Sequence, residues 1–581
     1  MFKLGITFEA CFPDEERGEL GEYLSGINKA DLLKMGSFFL GFNVEKSRYS
    51  NIPHFLQMFF GPENSDFAQA IYTNILRYIE TTEYPLEIYE VPYVVSSLKL
   101  FEFIFDSIPN DQETTKTNKQ IEQDTFKAYV LLNQITITDR FLISKQIKEE
   151  NNLSPTPAQA LLEISFHNSD LINYRVDKLY ECQFKRALLY FEFLSAQANC
   201  TTLLNAFYAH YEVTGYKDYL KRLFGIVYSV LMMDKESHVE IHLEEQESMA
   251  FIDKHIANVD ELITEVDFLN VRSNPLYKFE EDKYRIISPL FTIEMMYNGL
   301  FFRLKAINEE LANGDKVTNF YNLKTYQFSE QYVLSKLLKE IYGNRYVQKT
   351  GLELDGIIDG APDYYMRNGK YIHVYESKDI LITKESKQSL DYRDLENELR
   401  IKLFENEKGS PKAVRQLVET VRKILNSEAV YDANIPLARV HIFPVLVLHY
   451  RMFNAAGLNS VINSWFDEEL AKLEALGLDV SRVHSLVIID VETLMFNKDA
   501  LVKRKITVQN AFLEYEKEYL RFNMANARPK PRSMVEANKL IEDSLIPFSF
   551  YLDNKIEKLG YKRSGKDLLE KASVLFDEEN E

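Results

Sequence analysis

Two carboxylates and a lysine are spaced so that they could meet on one face of a β-hairpin. Asp363 precedes one predicted strand, and Glu376 and Lys378 lie at the end of the next. Because side chains alternate across a strand with a period of two residues, Glu376 and Lys378 point to the same face. Two carboxylates within reach of each other can share one divalent cation, which takes oxygen ligands. We therefore predict a site for such a cation with a lysine beside it.

The register of this hairpin is predicted from its turn. Asn368-Gly369 separates two runs rich in aromatic and β-branched residues, a pattern typical of a two-residue type I′ turn. Counting outward from this turn, Asp363 faces Val374 on the partner strand. Asp363 is then a diagonal neighbour of Glu376, with their Cβ atoms somewhat under ~7–8 Å apart. In this register the two carboxylates converge.

Pro362-Asp363 and Glu376-Ser377-Lys378 resemble the two halves of the motif that defines the PD-(D/E)XK nuclease superfamily. The resemblance implies the restriction-endonuclease-like fold and hydrolysis of phosphodiester bonds in DNA with Mg²⁺ or Mn²⁺. It implies Asp363, Glu376 and the Ser377 carbonyl as metal ligands. Lys378 would position the attacking water and stabilise the transition state as a cation.

Two residues on neighbouring helices are further candidates. Glu330 shares the apolar stripe of a helix that is predicted to begin with Ser329 as its N-cap. The resemblance implies that a glutamate on this first core helix completes the metal site; alternatively, Glu330 complements the helix dipole from the first turn. Gln416, on a helix that begins at Pro411, matches the Gln of a Q-x-x-x-Y motif in exonucleases of the superfamily. Thr420 stands where that motif has Tyr, so an ordinary surface position is the alternative for Gln416.

The elements around this site are predicted in the order helix, three strands, helix, strand, helix, strand. This order agrees with the α/β core that the resemblance implies for residues 316–495, a mixed central sheet flanked by helices. Before it, helical periodicity predicts a mixed, mostly helical region at 1–157 and an α-helical domain at 158–315. We place the nuclease-like domain at 316–497 and a helical C-terminal extension at 498–581.

The overall charge argues against a protein that coats nucleic acid. The formal net charge is −20, whereas affinity for phosphates comes from Lys and Arg. Residues 498–539 are the exception, with ten Lys and Arg against five Asp and Glu. This basic island is predicted to contact DNA phosphates, or alternatively to pair with the acidic N-terminal region. Its two clusters are Lys503, Arg504, Lys505 and Arg528, Lys530, Arg532.

Cysteine content and hydropathy narrow the class of protein. Cys11, Cys182 and Cys200 include no C-x-x-C pair and are odd in number, which argues against a disulfide framework or a zinc–cysteine site. Residues 224–233, the most apolar stretch, make up half of the ~20 residues that a membrane span needs. We therefore expect a cytoplasmic protein without a membrane partner.

Three interpretations of function follow. The first is a Mg²⁺-dependent deoxyribonuclease whose helical N-terminal domain binds a protein partner or forms an oligomer; similar fusions are associated with bacterial restriction and anti-phage systems. The second is a catalytically silent scaffold with the nuclease fold, which binds nucleic acid or protein. The third is a helical interaction protein in which the hairpin is incidental. An intact Asp, Glu and Lys set favours the first, because a binding module has no need to hold these groups together.

Overall fold

The computed structural model divides the chain into two compact units. The structure describes residues 4–44, 51–82, 86, 89–172, 174–231, 240–257, 268–561 and 573–575. Unit 1 contains Met1–Asn152, Leu204–Ile307 and Val574–Glu581, and unit 2 contains Leu153–Leu203 and Asn308–Ser573. This division differs from the predicted boundaries, because the predicted helical domain at 158–315 is shared between the two units.

The first half of the chain is mainly helical. Its helices are α1 (Phe8–Cys11), α2 (Leu20–Leu24), α3 (Lys29–Val44), α4 (Ile52–Phe59), α5 (Ser65–Glu80), α6 (Val94–Ser107), α7 (Asn118–Asn133), α8 (Arg140–Glu150), α9 (Pro157–Ser165), α10 (Ser169–Ile172), α11 (Val176–Ser195), α12 (Thr201–Tyr211), α13 (Tyr216–Leu231), α14 (Gln246–Asp253), α15 (Leu269–Ser273), α16 (Pro289–Glu294) and α17 (Asn298–Glu310). Its strands are β1 (Leu4–Gly5), β2 (Tyr89–Glu90), β3 (Glu240–His242), β4 (Leu276–Glu280) and β5 (Lys283–Ile286). In unit 1, β1 and β2 pair in parallel, and β3, β5 and β4 form an antiparallel sheet.

Unit 2 contains the larger sheet. Beyond residue 310 its helices are α18 (Phe320–Asn322), α19 (Leu334–Tyr342), α20 (Gly351–Leu354), α21 (Lys384–Gln388), α22 (Tyr392–Leu403), α23 (Ala413–Leu425), α24 (Leu458–Ala475), α25 (Val491–Val502), α26 (Val508–Tyr515), α27 (Met534–Ser544) and α28 (Phe548–Lys558). Its strands are β6 (Val347–Thr350), β7 (Tyr364–Asn368), β8 (Tyr371–Lys378), β9 (His441–Leu448) and β10 (Val487–Asp490). A π-helix, Leu323–Val333, joins α18 to α19.

The five strands of unit 2 form a mixed sheet in the order β10-β9-β8-β7-β6. β6, β7 and β8 pair antiparallel, whereas β8, β9 and β10 pair in parallel. The predicted elements occur in the predicted order along the chain, but with short helices that the prediction did not include: α20 between β6 and β7, and α21 and α22 before α23. A helical region combined with an α/β region is confirmed.

Helices cover both faces of this sheet. On one face, Ile372 and Val374 of β8 belong to the same apolar core as Leu417 of α23 and Ile462 of α24. On the other face, the hydroxyl of Tyr342 in α19 is hydrogen-bonded to the ring of His373 in β8. Strands that are buried on both faces carry nearly continuous apolar runs, and β9 is such a strand.

The hairpin turn lies one residue later than predicted. Asn368 pairs with Tyr371, so the loop is Gly369-Lys370 and the Asn368-Gly369 prediction is wrong. Gly369 has a φ of 59°, and glycine at the first loop position is the type II′ pattern. The pairing is therefore shifted by two residues, and Val374 faces Tyr365 instead of Asp363.

The helix that carries Glu330 also begins earlier than predicted. Ser329 is not an N-cap, because it lies inside the π-helix Leu323–Val333 and is fully buried. Glu330 is consequently not in a first helical turn, which removes the alternative that it complements a helix dipole.

Two further features of the described residues concern membrane-spanning helices and cysteines. Among these residues, no helix is sufficiently long and apolar to cross a membrane. Cys11, Cys182 and Cys200 are all buried and unpaired.

Candidate functional site

Asp363 and Glu376 are brought together by the pairing of β7 with β8. The last registered pair is Tyr364 with Tyr375, and continuing it by one residue places Asp363 across from Glu376. The backbone N–H of Ser377 donates to Oδ2 of Asp363 over 2.7 Å, which fixes that carboxylate beside β8. The two acids therefore oppose each other directly, where the prediction made them diagonal neighbours.

Lys378 lies between the two carboxylates. Its Nζ donates to Oε1 of Glu376 over 2.6 Å and is 3.8 Å from Oδ2 of Asp363. The exposed fractions of the side chains are 20% for Asp363, 15% for Lys378 and 4% for Glu376. The Glu376 side chain is therefore buried, whereas those of Asp363 and Lys378 are partly exposed.

Glu330 is the fourth member of the group. It is linked through Asp379 to a buried ion pair. Its Oε1 accepts a hydrogen bond of 3.3 Å from the backbone N–H of Asp379, the residue after Lys378. The Asp379 carboxylate accepts from Lys324 Nζ at 2.8 Å and from Ser329 Oγ. The Lys324 and Asp379 side chains are 2% and 0% exposed. The π-helix is thus joined to the end of β8 by a buried ion pair.

The four side chains shift one another's pKa values. Burial raises the pKa of Glu376, and repulsion from Asp363 raises it further. Burial likewise raises the pKa values of Glu330 and Asp363, while Lys378 opposes both shifts. Burial would lower the pKa of Lys378, but attraction to the three carboxylates outweighs it and raises that pKa. Lys378 therefore stays a cation near neutral pH, with three acids sharing its charge.

The charge and donor atoms of this group fit a hard divalent cation. Once a cation displaces the protons that the raised pKa values favour, three carboxylates and one ammonium leave a net charge of −2. Within the described ranges, no set of three or more His, Cys, Asp or Glu side chains is arranged to hold a metal ion. Mg²⁺, however, is usually bound through one or two carboxylates, with waters completing its shell. Asp363 and Glu376 supply that number of carboxylates.

Gln416 is not joined to the four groups by any hydrogen bond in the described part of the chain. It lies on α23, which packs on the sheet face that Glu376 and Lys378 continue. Within the described residues, its Oε1 is buried without a hydrogen-bond partner, which costs free energy. The role of Gln416 stays a prediction.

The first basic cluster lies towards the other end of the sheet. Arg504 donates to the Tyr346 hydroxyl over 2.8 Å, and Tyr346 immediately precedes β6. Val347 pairs with Arg367, which is four residues from Asp363, or roughly 13 Å along a strand. This cluster therefore adjoins the hairpin turn and not the carboxylates.

The remaining basic residues are exposed but are not placed at the site. Arg528, Lys530 and Arg532 are solvent-accessible, and Lys530 donates to the carbonyl of Ala525 over 2.6 Å. Within the described residues, no ion pair or hydrogen bond connects these three side chains to the acidic group. The DNA-contact prediction for both clusters stays a prediction.

Sequence reasoning missed Lys324 and Tyr326. Lys324 supports Glu330 through Asp379, as described above. The Tyr326 hydroxyl is 3.4 Å from Oδ2 of Asp355, and Asp355 also raises the pKa of Asp363. Both residues belong to the π-helix, whose spacing differs from the 3.6-residue period used to assign faces.

Comparisons with known proteins place the chain in no group. No family model, no curated protein and no solved structure matches it.

Proposed function

We propose that unit 2 is a metal-dependent nuclease that hydrolyses phosphodiester bonds of DNA. The observation that carries this proposal is the convergence of Asp363, Glu376 and Lys378 at the end of β8. The resemblance to the PD-(D/E)XK superfamily rests on the same three residues. A mixed five-stranded sheet with helices on both faces is compatible with the core of that superfamily.

Asp363 and Glu376 would hold Mg²⁺ or Mn²⁺, with the carbonyl of Ser377 as a further oxygen ligand. When bound, such an ion supplies a Lewis acid and a water of lowered pKa. The pKa values of both acids are raised, so protons would compete with a cation for these carboxylates, and a bound cation would lower both pKa values. The chain thus holds paired acids whose repulsion a divalent cation would relieve.

Lys378 and Glu330 have separate roles in this proposal. The ammonium of Lys378 keeps its proton and stabilises negative charge on the phosphoryl oxygens. Glu330 orients the site from the π-helix through its bond to the backbone of Asp379. Gln416 is the candidate to orient a water or phosphate from α23.

The basic clusters would hold DNA away from the cleavage point. Lys503, Arg504 and Lys505 lie at the hairpin-turn end of unit 2, so a duplex or strand bound there would extend past the site. An effector role in bacterial defence, with a protein partner bound by the helical N-terminal region, rests on the resemblance alone.

The test is cleavage of plasmid and linear DNA by the full chain with Mg²⁺, Mn²⁺ or EDTA. Cleavage with either metal and none with EDTA is the expected result, and nicked or linear plasmid would indicate internal cleavage. Mobility shift of the same DNA without any cleavage would instead favour the catalytically silent scaffold, in which the Glu376–Lys378 ion pair is only structural.

A further inference from the structure

Ser377 joins the acidic group to the face of the sheet that α19 covers. Its backbone N–H donates to Oδ2 of Asp363 over 2.7 Å. Because β7 begins only at Tyr364, the side chain of Asp363 accepts this hydrogen bond in place of a strand carbonyl. The N–H and C=O of a strand residue point to the same neighbouring strand, so the carbonyl of Ser377 also faces the side of Asp363. The orientation of Ser377 therefore sets both the Asp363 carboxylate and the proposed carbonyl ligand.

His449 holds the side chain of Ser377 from the α19 face. Side chains alternate along β8, so the hydroxyl of Ser377 points away from the face of Glu376 and Lys378. Its Oγ is 2.8 Å from Nε2 of His449, the residue that follows β9. Ser377 and His449 are 0% and 1% exposed, so bulk water does not compete for this hydrogen bond.

His449 is itself held by a helix from an earlier part of unit 2. Its carbonyl accepts a hydrogen bond of 3.1 Å from Nη1 of Arg186 on α11. The same nitrogen is 3.3 Å from Oε1 of Glu492 on α25, which forms a buried ion pair. The registered pairing of β9 with β10 ends at Leu448, so His449 lies just past the ladder. Arg186 thus supplies the hold on His449 that a further strand pair would give.

We propose that His449 is a positioning residue that fixes Ser377 and, through it, the metal-binding geometry of Asp363. This inference rests on the proposed nuclease function and adds a residue to that same site. Hydrogen-bond partners behind metal ligands set the orientation of those ligands, and their loss typically lowers metal affinity or activity by about 10- to 100-fold. A ring that only satisfied a buried hydroxyl would affect the stability of the fold and leave the affinity for a cation unchanged.

The experiment measures Mn²⁺ binding to the full chain from the electron paramagnetic resonance signal of the free ion. His449→Phe keeps a ring and removes its nitrogens, and Ser377→Ala removes only the hydroxyl. Each change should weaken Mn²⁺ binding by about 10- to 100-fold. The double variant should stay within about twofold of His449→Phe, because both changes remove the same hydrogen bond. His449→Gln should recover most of the lost affinity, because its amide keeps a donor and an acceptor for the Ser377 hydroxyl.

His373→Phe is the matched control. His373 is also fully buried, and it lies on the same face of β8, four residues before Ser377. Its ring is hydrogen-bonded to the hydroxyl of Tyr342 instead. The change should lower the urea concentration at the midpoint of unfolding, as His449→Phe does, because each leaves a buried hydroxyl without its partner. Its Mn²⁺ affinity should nevertheless stay within about twofold of wild type.

The inference is overturned if His449→Phe and Ser377→Ala bind Mn²⁺ as tightly as wild type does, or if His373→Phe loses as much affinity as they do. It is also overturned if the losses of the two single variants multiply in the double variant, or if His449→Gln stays as weak as His449→Phe. If His449→Phe does not fold, Ser377→Ala decides the question, because it removes a single hydroxyl.

The same measurements separate this inference from the proposed function. A wild-type chain that binds no Mn²⁺ and cleaves no DNA would refute the proposed nuclease function, and the role of His449 with it. Mn²⁺-dependent cleavage by wild type, together with unaffected Mn²⁺ binding in His449→Phe and Ser377→Ala, would refute only the positioning role.

Discussion

Changing Glu376 to Gln tests whether the acidic group stores unfavourable free energy in the folded chain. The pKa of Glu376 is raised from 4.5 to about 8. Between these values the folded state keeps a proton that the unfolded state releases. The stability of wild type should therefore fall as the pH rises, by up to about 1.4 kcal/mol per pH unit. Gln has no such proton to lose, so the variant escapes this fall.

The size of this effect on the free energy of unfolding depends on how Glu376, Asp363 and Glu330 share protons. The full pKa shift of Glu376 corresponds to about 5 kcal/mol above pH 8. Because Asp363 and Glu330 titrate together with Glu376, its own part is reduced, and we expect about 1–3 kcal/mol. Lys378 stays paired after the change, since Asp363 remains 3.8 Å away. Glu376→Gln should thus be the more stable protein at about pH 8 and no more stable at about pH 5.

Urea unfolding followed by tryptophan fluorescence measures this effect in unit 2. Trp465, the single tryptophan of the chain, is buried in the core beneath the sheet. Glu385→Gln is the matched control, because Glu385 is exposed and the change removes the same carboxylate outside the acidic group. The reasoning fails if Glu376→Gln is destabilised at every pH, or if its advantage over wild type does not grow between these two pH values.

Three further predictions concern Lys378, Lys324 and the first basic cluster. Lys378→Met should keep or strengthen Mg²⁺ binding by calorimetry while slowing cleavage by about 10²–10³-fold, because it removes a charge that acts on the transition state; loss of Mg²⁺ binding would contradict this role. Lys324→Met should destabilise unit 2 by about 3–5 kcal/mol in urea unfolding, by leaving Asp379 buried without its cation. Adding Asp379→Asn should recover part of that loss, and no recovery would refute the ion-pair explanation. Reversing Lys503, Arg504 and Lys505 to Glu should lower the slope of log affinity against log salt by about 0.9 per lost duplex-phosphate contact, and an unchanged slope would assign these residues to packing.

The convergence of Asp363, Glu376 and Lys378 could be predicted from the sequence even though the predicted turn was wrong. The hairpin register is shifted by two residues, and a shift of two keeps every side chain on its face of the strand. Glu376 and Lys378 therefore stay on the side of Asp363 in either register. A shift of one residue would have placed Asp363 on the opposite face and abolished the prediction.

The helical part of the site could not be predicted in the same way. The π-helix is tied to β8 by Lys324 and Asp379, which are 55 residues apart in the chain. Nothing in the local sequence indicates such a contact. The local pattern favours an N-cap at Ser329 instead. Lys324, Tyr326 and Glu330 all lie in the π-helix, whose spacing a 3.6-residue period does not follow.

The central claim is that Asp363 and Glu376 support metal-dependent cleavage of DNA. The most direct test is the cleavage rate as a function of Mg²⁺ concentration for wild type and Asp363→Asn, measured side by side on one DNA. Asn keeps the size of the side chain and removes its charge, so the fold should be retained. The account predicts saturable, Mg²⁺-dependent cleavage by wild type and a loss of at least about a hundredfold in the variant. Equal rates for the two proteins at every Mg²⁺ concentration would contradict it.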